Sequence, residues 1–239
     1  MNRREAVLRE LNLHPLWMRR GQPAPAAVHE PLAEATETLP PAQTAQQVVA
    51  PLAEPGWPEL NALVKNCDIC KLRAGCSQTV FGTGDQQADW LFVGEGPGAD
   101  EDAQGEPFVG QAGKLLDNML LAIKLKRGKR VYIANVVKCR PPGNRVPEAD
   151  EVAACLPYLQ RQIALIRPKV IVALGKTAAT ALLGKEATLA SLRGSTHEYD
   201  GIPLVITYHP AYLLRSPLEK AKAWDDLCRA VEIIAAAPE

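Results

Sequence analysis

Apolar residues in this chain follow two spacings, which alternate along its length. Continuous apolar runs rich in β-branched residues predict buried strands, and apolar residues three or four positions apart predict helices that cover them. The predicted strands are residues 90–93, 131–137 and 170–174, and a hairpin of 195–199 with 202–207 around Asp200-Gly201. The predicted helices are residues 115–123, 148–166, a short helix ending at 183, and 218–234. This alternation indicates an α/β domain with a mostly parallel sheet covered on both faces.

The first 58 residues have a different pattern. Residues 1–20 place Val7, Leu8 and Leu11 at helical spacing, which predicts a short amphipathic segment. This segment is either a docking site, for a partner protein or for the chain's own domain, or a frayed tail. Residues 21–58 contain eight prolines and nine alanines, with too few large apolar side chains to offset the ordering entropy. We therefore expect a disordered linker there and the folded domain at residues 59–239.

Charge and composition exclude several classes of protein. The chain carries 27 basic and 27 acidic side chains, so any nucleic-acid site must be a local patch. Charged residues interrupt the first 20 positions, and no apolar run approaches the ~20 residues of a membrane span. We therefore expect a cytoplasmic monomer without membrane contact. Because intracellular thiols are kept reduced, the six cysteines are expected to include metal or cluster ligands.

Three loops at or after the predicted strands carry residues suited to binding or catalysis, and ligands of open parallel sheets bind where strands end. The first, residues 94–102, is Gly-rich and acidic and lacks the Gly-Lys-Ser/Thr ending of a phosphate loop. Asn135 lies in the second apolar run, where its amide either bonds neighbouring backbone or reads a pyrimidine edge. His209 follows the last strand beside a predicted helix start, so it either faces the cleft or is structural.

One stretch of the chain is basic although the whole chain is neutral. Residues 118–147 contain eight Lys and Arg residues and no acidic residue. The stretch is either a patch that holds a phosphate backbone or a solvated basic face. Further along, Leu213 and Leu214 are either core residues or apolar wedges that hold a duplex open.

The cysteines fall into two pairs by their spacing. The pairs are Cys67-x2-Cys70, before the sheet, and Cys139-x15-Cys155, which joins the basic stretch to a helix. This spacing matches neither a zinc ribbon nor a thioredoxin site, whereas four thiolates that meet at one place suit a [4Fe–4S] cluster. Cys76 and Cys228 are then spare, although Cys76 is near enough to Cys70 in sequence to replace one of the ligands.

Together these motifs resemble the iron–sulfur uracil-DNA glycosylases of family 4. The resemblance covers residues 60–235 and rests on segments 94–98, 107–110, 135–145, 173–175 and 209–215, together with the cysteine spacing. It implies a three-layer α/β/α fold with a central parallel four-stranded sheet and a structural [4Fe–4S] cluster on the four paired cysteines. It also implies an enzyme that flips uracil out of single- or double-stranded DNA and hydrolyses its N-glycosidic bond, leaving an abasic site.

The resemblance assigns roles to individual residues. The implied uracil pocket consists of Gly94, Glu95, Gly96, Phe108, Asn135 and His209. Phe108 is expected to stack on the base and Asn135 to read its pyrimidine edge. Glu101 is expected near C5, where it would exclude the methyl group of thymine, and His209 is expected to hydrogen-bond O2. The implied DNA contacts are Lys126, Arg127, Arg140, Arg145, Leu213, Leu214 and Arg215.

The implied reaction makes one main electrostatic demand. Cleavage leaves an oxocarbenium-like sugar and a uracil anion, so a donor to O2, His209, would stabilise the developing charge. Water then adds at C1′, positioned by Glu95, Asp100 or Glu101. The loop 99–107 has no Lys, Arg or His, unlike the basic insertion of the family's covalently trapped relatives, so we expect turnover. The main alternative is a non-catalytic iron–sulfur DNA-binding or polymerase-accessory protein with the same fold.

Overall fold

A computed structural model describes residues 55–236 of the chain. The segment 1–20 and the linker up to residue 54 lie outside the described residues, so both remain predictions. The first helix begins at Trp57, near the predicted boundary between residues 58 and 59, and has Pro58 in its first turn, where a proline is well tolerated. Leu60 and Val64 of this helix are buried in the core. The folded domain therefore starts slightly earlier than predicted.

The domain is built on a six-stranded sheet. The strands in chain order are β1 (Thr83–Gly84), β2 (Trp90–Gly94), β3 (Val131–Asn135), β4 (Val170–Leu174), β5 (Thr196–Tyr199) and β6 (Ile202–Thr207). Their spatial order is β1-β3-β2-β4-β6-β5. The four central strands run parallel, and one antiparallel strand lies at each edge. The predicted central four-stranded sheet is therefore confirmed, as is the β5–β6 hairpin, whereas β1 was not predicted.

Helices connect the strands and cover the sheet. They are α1 (Trp57–Lys65), α2 (Ala99–Gln104), α3 (Gln111–Ala122), α4 (Ala149–Ile166), α5 (Lys176–Leu183), α6 (Leu189–Leu192), α7 (Pro210–Arg215) and α8 (Lys220–Ala236). Short 3-10 turns occupy Lys71–Gly75, Pro142–Asn144 and Pro217–Glu219. Of the helices in the described part of the chain, none has the length and apolar character needed to cross a membrane.

The two faces of the sheet carry separate apolar cores. Alternate residues of a strand point to opposite faces, so Leu91 and Val93 join one core and Trp90 and Phe92 join the other. The first core includes buried residues of α1, α4 and α5, and the second includes buried residues of α3 and α8. This is the three-layer α/β/α arrangement that the sequence predicts.

The end of β3 differs from the prediction in a way that shapes the site. The apolar run continues to Val137, but the strand ends at Asn135. Beyond it, the backbone N–H groups of Val136 and Val137 donate to the carbonyls of Gly94 and Glu95, at 2.9 and 3.1 Å. The chains leaving β2 and β3 thus stay together past the sheet, and Gly94 is paired with Asn135 in register.

Candidate active site

The loops at the carboxyl ends of the central strands enclose a cavity of about 210 Å³. Because these strands are parallel, their carboxyl ends meet at one edge of the sheet. The residues predicted for the uracil pocket and for catalysis that line the cavity are Glu95, Gly96, Glu101, Phe108, Asn135 and His209. The structure therefore gathers side chains from four separate loops around a space that has room for a single base.

Phe108 provides the aromatic surface of the cavity. A Cβ atom at Gly94 would lie 2.6 Å from Cζ of this ring and 2.4 Å from Oδ1 of Asn135, so only glycine leaves space for both. Phe108 has a φ of +56°, a left-handed backbone that costs a bulky residue about 1–3 kcal/mol. Its ring centroid lies 5.5 Å from that of His209. The aromatic ring, the amide and the imidazole therefore share one small volume.

Asn135 offers an unused polar atom to the cavity. The residue is only 2% exposed, and Oδ1 has no hydrogen-bond partner among the described residues. A buried acceptor without a partner costs about 1–3 kcal/mol, so folding alone does not favour it here. An amide presents one acceptor and one donor side by side. This pair complements the N3–H and O4 of a uracil ring, which is the role predicted from the sequence.

His209 is held as a neutral ring with a defined orientation. It caps α7, and its Nδ1 accepts the backbone N–H of Ala211 at 3.2 Å. Since Nδ1 is an acceptor, the proton of the neutral ring is on Nε2. Burial, with a smaller contribution from the positive charge of Arg215, lowers the pKa of His209 to about 4. The ring is therefore a neutral donor through Nε2 at physiological pH.

The three carboxylates proposed to position water have different environments. Glu101 accepts backbone N–H groups from Gly98, Val109 and Gly110 at 3.0 to 3.1 Å, so it fixes the loop that carries Phe108. Asp100 is exposed on α2, and it is not among the residues that line the cavity. Glu95 lines the cavity. Its carboxylate accepts the hydroxyl of Thr177, which is in the first turn of α5.

Some of the side chains predicted to contact DNA are exposed, and others are buried or bonded to protein groups. Lys126, Leu214 and Arg215 are exposed. Leu213 is only 1% exposed, so in this structure it is a core residue and not a surface wedge. Arg127 directs its guanidinium to the loop before α3, through bonds to Pro107 and Phe108 carbonyls, and not to solvent. The sequence correctly marked this region as basic but could not tell which cations face outward.

Two further arginines of the predicted DNA surface have protein partners. Arg145 lines the cavity and forms a bidentate pair with the fully buried Glu151, at 2.6 and 2.8 Å. Hydrogen bonds from Arg145 lower the pKa of Glu151 to about 2. Arg140 donates to Oδ1 of Asn144 at 2.7 Å. Both arginines are half-buried and lie on the loop between β3 and α4.

Lys138 shows why the basic stretch is not one surface. It is 1% exposed, and its Nζ donates to the carbonyl of Asn135 at 2.9 Å and to Gln162 at 2.6 Å. Burial lowers the pKa of Lys138 to about 8. The side chain thus ties the end of β3 to α4. Its position inside the apolar run Val136-Val137-Lys138-Cys139 was the sequence signal for burial.

Thr177 and Glu151 were also missed by sequence reasoning. Glu151 had a signal: it lies three residues after Glu148 at the start of a helix, as in a capping box, and it accepts the Glu148 backbone N–H at 2.7 Å. Thr177 follows a strand end at the site edge, but a single threonine in that place carries no specific signal.

The four paired cysteines line one cavity. Cys67, Cys70, Cys139 and Cys155 all contribute to a small space between the segment after α1, the loop after β3 and the side of α4. Cys76 and Cys228 are not among the residues that line it. Burial raises the pKa of Cys155 to about 11, and burial together with the neighbouring thiols Cys76, Cys155 and Cys70 raises the pKa of Cys139.

The cysteine cavity differs from a site for a single ion. In the described part of the chain, no three His, Cys, Asp or Glu side chains are close enough together to hold one metal ion. In a [4Fe–4S] cluster each cysteine binds a different iron, so the four sulfur atoms surround the cluster and do not converge on one atom. The backbone N–H of Lys138 also donates to Sγ of Cys155 at 3.2 Å, as thiolate ligands commonly require.

An aromatic ring, a buried amide with an unpaired oxygen and a neutral imidazole lie together at the strand ends of an α/β/α domain, an arrangement suited to binding a single planar base. In comparisons with known proteins, the family model of the uracil DNA glycosylase superfamily matches residues 81–228. The chain belongs to this superfamily, as the sequence predicted.

Individual relatives place the chain within the superfamily. It is 45% identical to the type-4 uracil-DNA glycosylase of Pyrobaculum aerophilum over 179 residues, 71% of this chain and 90% of that protein. It is 47% identical to the type-4 uracil-DNA glycosylase of Thermotoga maritima over 155 residues, 64% of this chain and 80% of that protein. A type-5 enzyme of P. aerophilum is 32% identical over 166 residues, 66% of each chain. The predicted resemblance to family 4 is confirmed.

Proposed function

We propose that this chain is a uracil-DNA glycosylase, which hydrolyses the N-glycosidic bond of uracil in DNA and leaves an abasic site. The observation that carries the proposal is that the unpartnered Oδ1 of Asn135 and the neutral imidazole of His209 lie together beside the ring of Phe108. In this proposal, Asn135 reads N3–H and O4 of uracil, His209 donates a hydrogen bond to O2, and Phe108 stacks on the base. Asn135 is only 2% exposed at the cavity, so a base can reach it only after the nucleotide is extruded from the helix.

His209 has the main electrostatic role in the proposed reaction. As the glycosidic bond breaks, its electron pair moves into the base and negative charge grows on O2. A neutral Nε2–H that is already oriented by the Ala211 bond stabilises this charge without reorganisation during the reaction. The base leaves as an anion, and the sugar carries the positive character.

Glu95 is the group that we propose to orient the attacking water. Its carboxylate lines the cavity and is steadied by Thr177, whereas Glu101 is engaged with three backbone N–H groups. A carboxylate that holds water beside C1′ directs its addition and also favours the positive sugar. Glu101 keeps its proposed place near C5, where a rigid side chain excludes the thymine methyl group.

We expect the pH dependence of excision to lack an ordinary histidine inflection. With its pKa lowered to about 4, the ring of His209 stays neutral across about pH 5 to 8. Titration of His209 should therefore change the single-turnover rate little in this range. Toward pH 4 the rate should fall, because protonation at Nδ1 removes the acceptor for Ala211 that orients the ring. His209→Gln, which keeps an N–H donor but cannot titrate, is the control. If the rate of the parent fell as the pH was raised from 5 to 8, and the rate of this variant did not, the reaction would require a cationic ring at His209.

The DNA surface that we propose consists of Lys126, Arg140, Arg145, Leu214 and Arg215, of which Arg145 lines the cavity itself. Lys126 and Arg215 are exposed and free to meet phosphates, and Leu214, 44% exposed on α7, is the available apolar wedge. Arg140 and Arg145 flank the opening from the loop after β3. Single- and double-stranded DNA both fit this proposal, and a monomer provides the complete surface.

Replacing Lys126 with Met should reduce the salt dependence of DNA binding. One phosphate contact fewer lowers the slope of log K against log salt by about 0.9 on duplex DNA, for any sequence. Lys169→Met is the matched control, because this exposed lysine directly precedes β4 and therefore lies at the amino end of the strands, opposite the cavity. Fluorescence titrations with uracil-free duplex at several salt concentrations measure both slopes. Equal slopes for the two variants would remove Lys126 from the DNA surface.

We propose that Cys67, Cys70, Cys139 and Cys155 hold a [4Fe–4S] cluster, because these four thiols line one cavity. Mutual repulsion and burial disfavour several thiolates here unless positive iron compensates their charge. A cluster bound there would act as a structural cross-link between three segments distant in sequence. We also propose a cytoplasmic location, where a reduced environment keeps these thiols available.

Protein purified without oxygen should be brown and contain iron and sulfide. Serine at any of the four proposed ligands should lower the soluble yield and the iron content, because one corner of the cluster is lost. Cys228→Ser is the neutral control, and Cys76→Ser tests the neighbour of Cys139. Stoichiometric zinc without iron after growth in iron-rich medium would contradict the cluster. Loss of iron in Cys76→Ser but not in one of the four would reassign that ligand.

A further inference from the structure

Phe108 is held in its left-handed backbone conformation from two sides. The peptide groups before and after its Cα place their carbonyls, those of Pro107 and Phe108, on one guanidinium. Nη1 of Arg127 donates to the first at 2.7 Å and Nη2 donates to the second at 2.8 Å. On the other side, Glu101 accepts the N–H groups of Val109 and Gly110. The peptide between Phe108 and Val109 is therefore fixed at both ends.

The geometry of Arg127 suits a clamp, by which we mean a side chain that fixes the backbone of Phe108 through two hydrogen bonds, better than it suits a contact with a DNA phosphate. Its side chain is 21% exposed, and its Nε donates to Asp117 at 3.1 Å, which orients the guanidinium plane. The planar fork of arginine bonds two carbonyls at once, whereas a lysine ammonium offers a single point of charge. Arg127 comes 19 positions after Phe108 in the sequence, so the bonds join two distant loops.

Helix α3 packs closely against the peptide group that follows Phe108. A Cβ atom at Gly113 would lie 1.7 Å from the Phe108 carbonyl oxygen, so α3 packs directly against this peptide. The same carbonyl oxygen is the acceptor for Arg127. Without the guanidinium, the carbonyl oxygens of Pro107 and Phe108 would lose their charge-assisted hydrogen bonds. The strained, left-handed φ of +56° at Phe108 would then be stabilised by fewer interactions.

We propose that Arg127 is a positioning residue for uracil excision, which clamps the backbone of Phe108 so that the ring stands ready to stack on the extruded base. The inference rests on the proposed function and deepens it, because it assigns a role to a residue that sequence patterns grouped with the DNA contacts. Asp117 supports the clamp by fixing the guanidinium. Arg127 acts on the reaction only through Phe108 and touches neither the base nor the phosphates.

A double-mutant cycle tests this proposal. Arg127→Met should lower the single-turnover rate at saturating enzyme by about 10- to 100-fold, the scale for misplacement of a group that orients a substrate. In the Phe108→Ala background, the same change should have an effect below about twofold, since the group it positions is gone. Arg127→Lys should be almost as slow as Arg127→Met, because charge without the fork does not restore the clamp. Independent effects that multiply in the double variant would overturn the proposal.

A second readout separates the clamp from a phosphate contact and from a general loss of structure. The salt slope of DNA binding should stay unchanged in Arg127→Met, whereas it falls in Lys126→Met. Thermal unfolding of each variant shows whether it is folded, and a crystal structure of Arg127→Lys should show Phe108 with negative φ and its ring moved off Gly94. An unchanged φ and ring in that structure would overturn the clamp whatever the activity. Absence of excision by the parent protein would refute the proposed function, and the crystallographic result would still decide the role of Arg127.

Discussion

His209→Ala is expected to lower the single-turnover rate of uracil excision by about 100-fold or more, the scale for losing a donor to a developing oxyanion. The imidazole is neutral, with Nδ1 engaged by Ala211 and Nε2–H free for O2. Its bond strengthens as charge accumulates on O2, so the loss falls on the transition state more than on binding. Rates at saturating enzyme on a uracil duplex, analysed after alkaline cleavage, measure the effect.

The matching control for His209 is a binding measurement. His209→Ala should bind uracil-containing duplex with nearly the affinity of the parent, because phosphate contacts dominate that affinity. His209→Gln should recover part of the rate, since its amide can donate to O2. A full single-turnover rate in His209→Ala would show that the chemistry takes place elsewhere.

Asn135→Asp is expected to change which base is removed. Uracil excision should fall about 10- to 100-fold, because carboxylate oxygens face O4 where the amide donated a hydrogen bond, and a paired contact is worth about 1–3 kcal/mol. The same oxygen can accept from the 4-amino group of cytosine, and a proton taken up from solvent is shared between the other carboxylate oxygen and N3. Detectable excision of cytosine, absent in the parent, is the expected gain.

Asn135→Ala separates this change of specificity from simple damage to the pocket. It removes both polar contacts, so excision of uracil should fall without any gain of cytosine activity. Parallel assays on duplexes that differ only in the target base give the comparison. An Asn135→Asp variant that keeps the parent's rate and preference would contradict the assignment of this amide to the base edge.

The fold was predictable from the sequence because its strands are buried on both faces. Uninterrupted apolar runs rich in Val and Ile, such as 170–174, are typical of a central strand in a covered sheet. The two-residue strand β1 has no comparable signal, since its residues Thr83 and Gly84 pair only at the sheet edge. The end of β3 was missed because Val136 and Val137 stay buried beyond the strand.

Motif spacing predicted residues that the structure brings to one cavity, but it did not predict their environments. Motif spacing is enough to place these residues near strand ends or glycine-rich turns: Asn135 ends β3, His209 follows β6, and Phe108 lies in the segment after the glycine-rich loop. Which way a basic side chain points depends on partners distant in sequence, so Arg127 was grouped with surface cations although it bonds the Phe108 loop. Leu213 and Leu214 are adjacent in sequence, yet the helix α7 buries one and exposes the other.

The most direct test of the account is an excision assay with the purified, iron-containing protein. Oligonucleotides with one uracil, single-stranded and in duplex, are incubated with the protein, treated with alkali and separated beside matched strands that carry thymine. We expect release of free uracil and alkali-dependent cleavage at the uracil position, with repeated turnover and no cleavage at thymine. Intact uracil strands, bound by a folded protein with its cluster in place, would contradict this expectation and indicate the non-catalytic DNA-binding alternative.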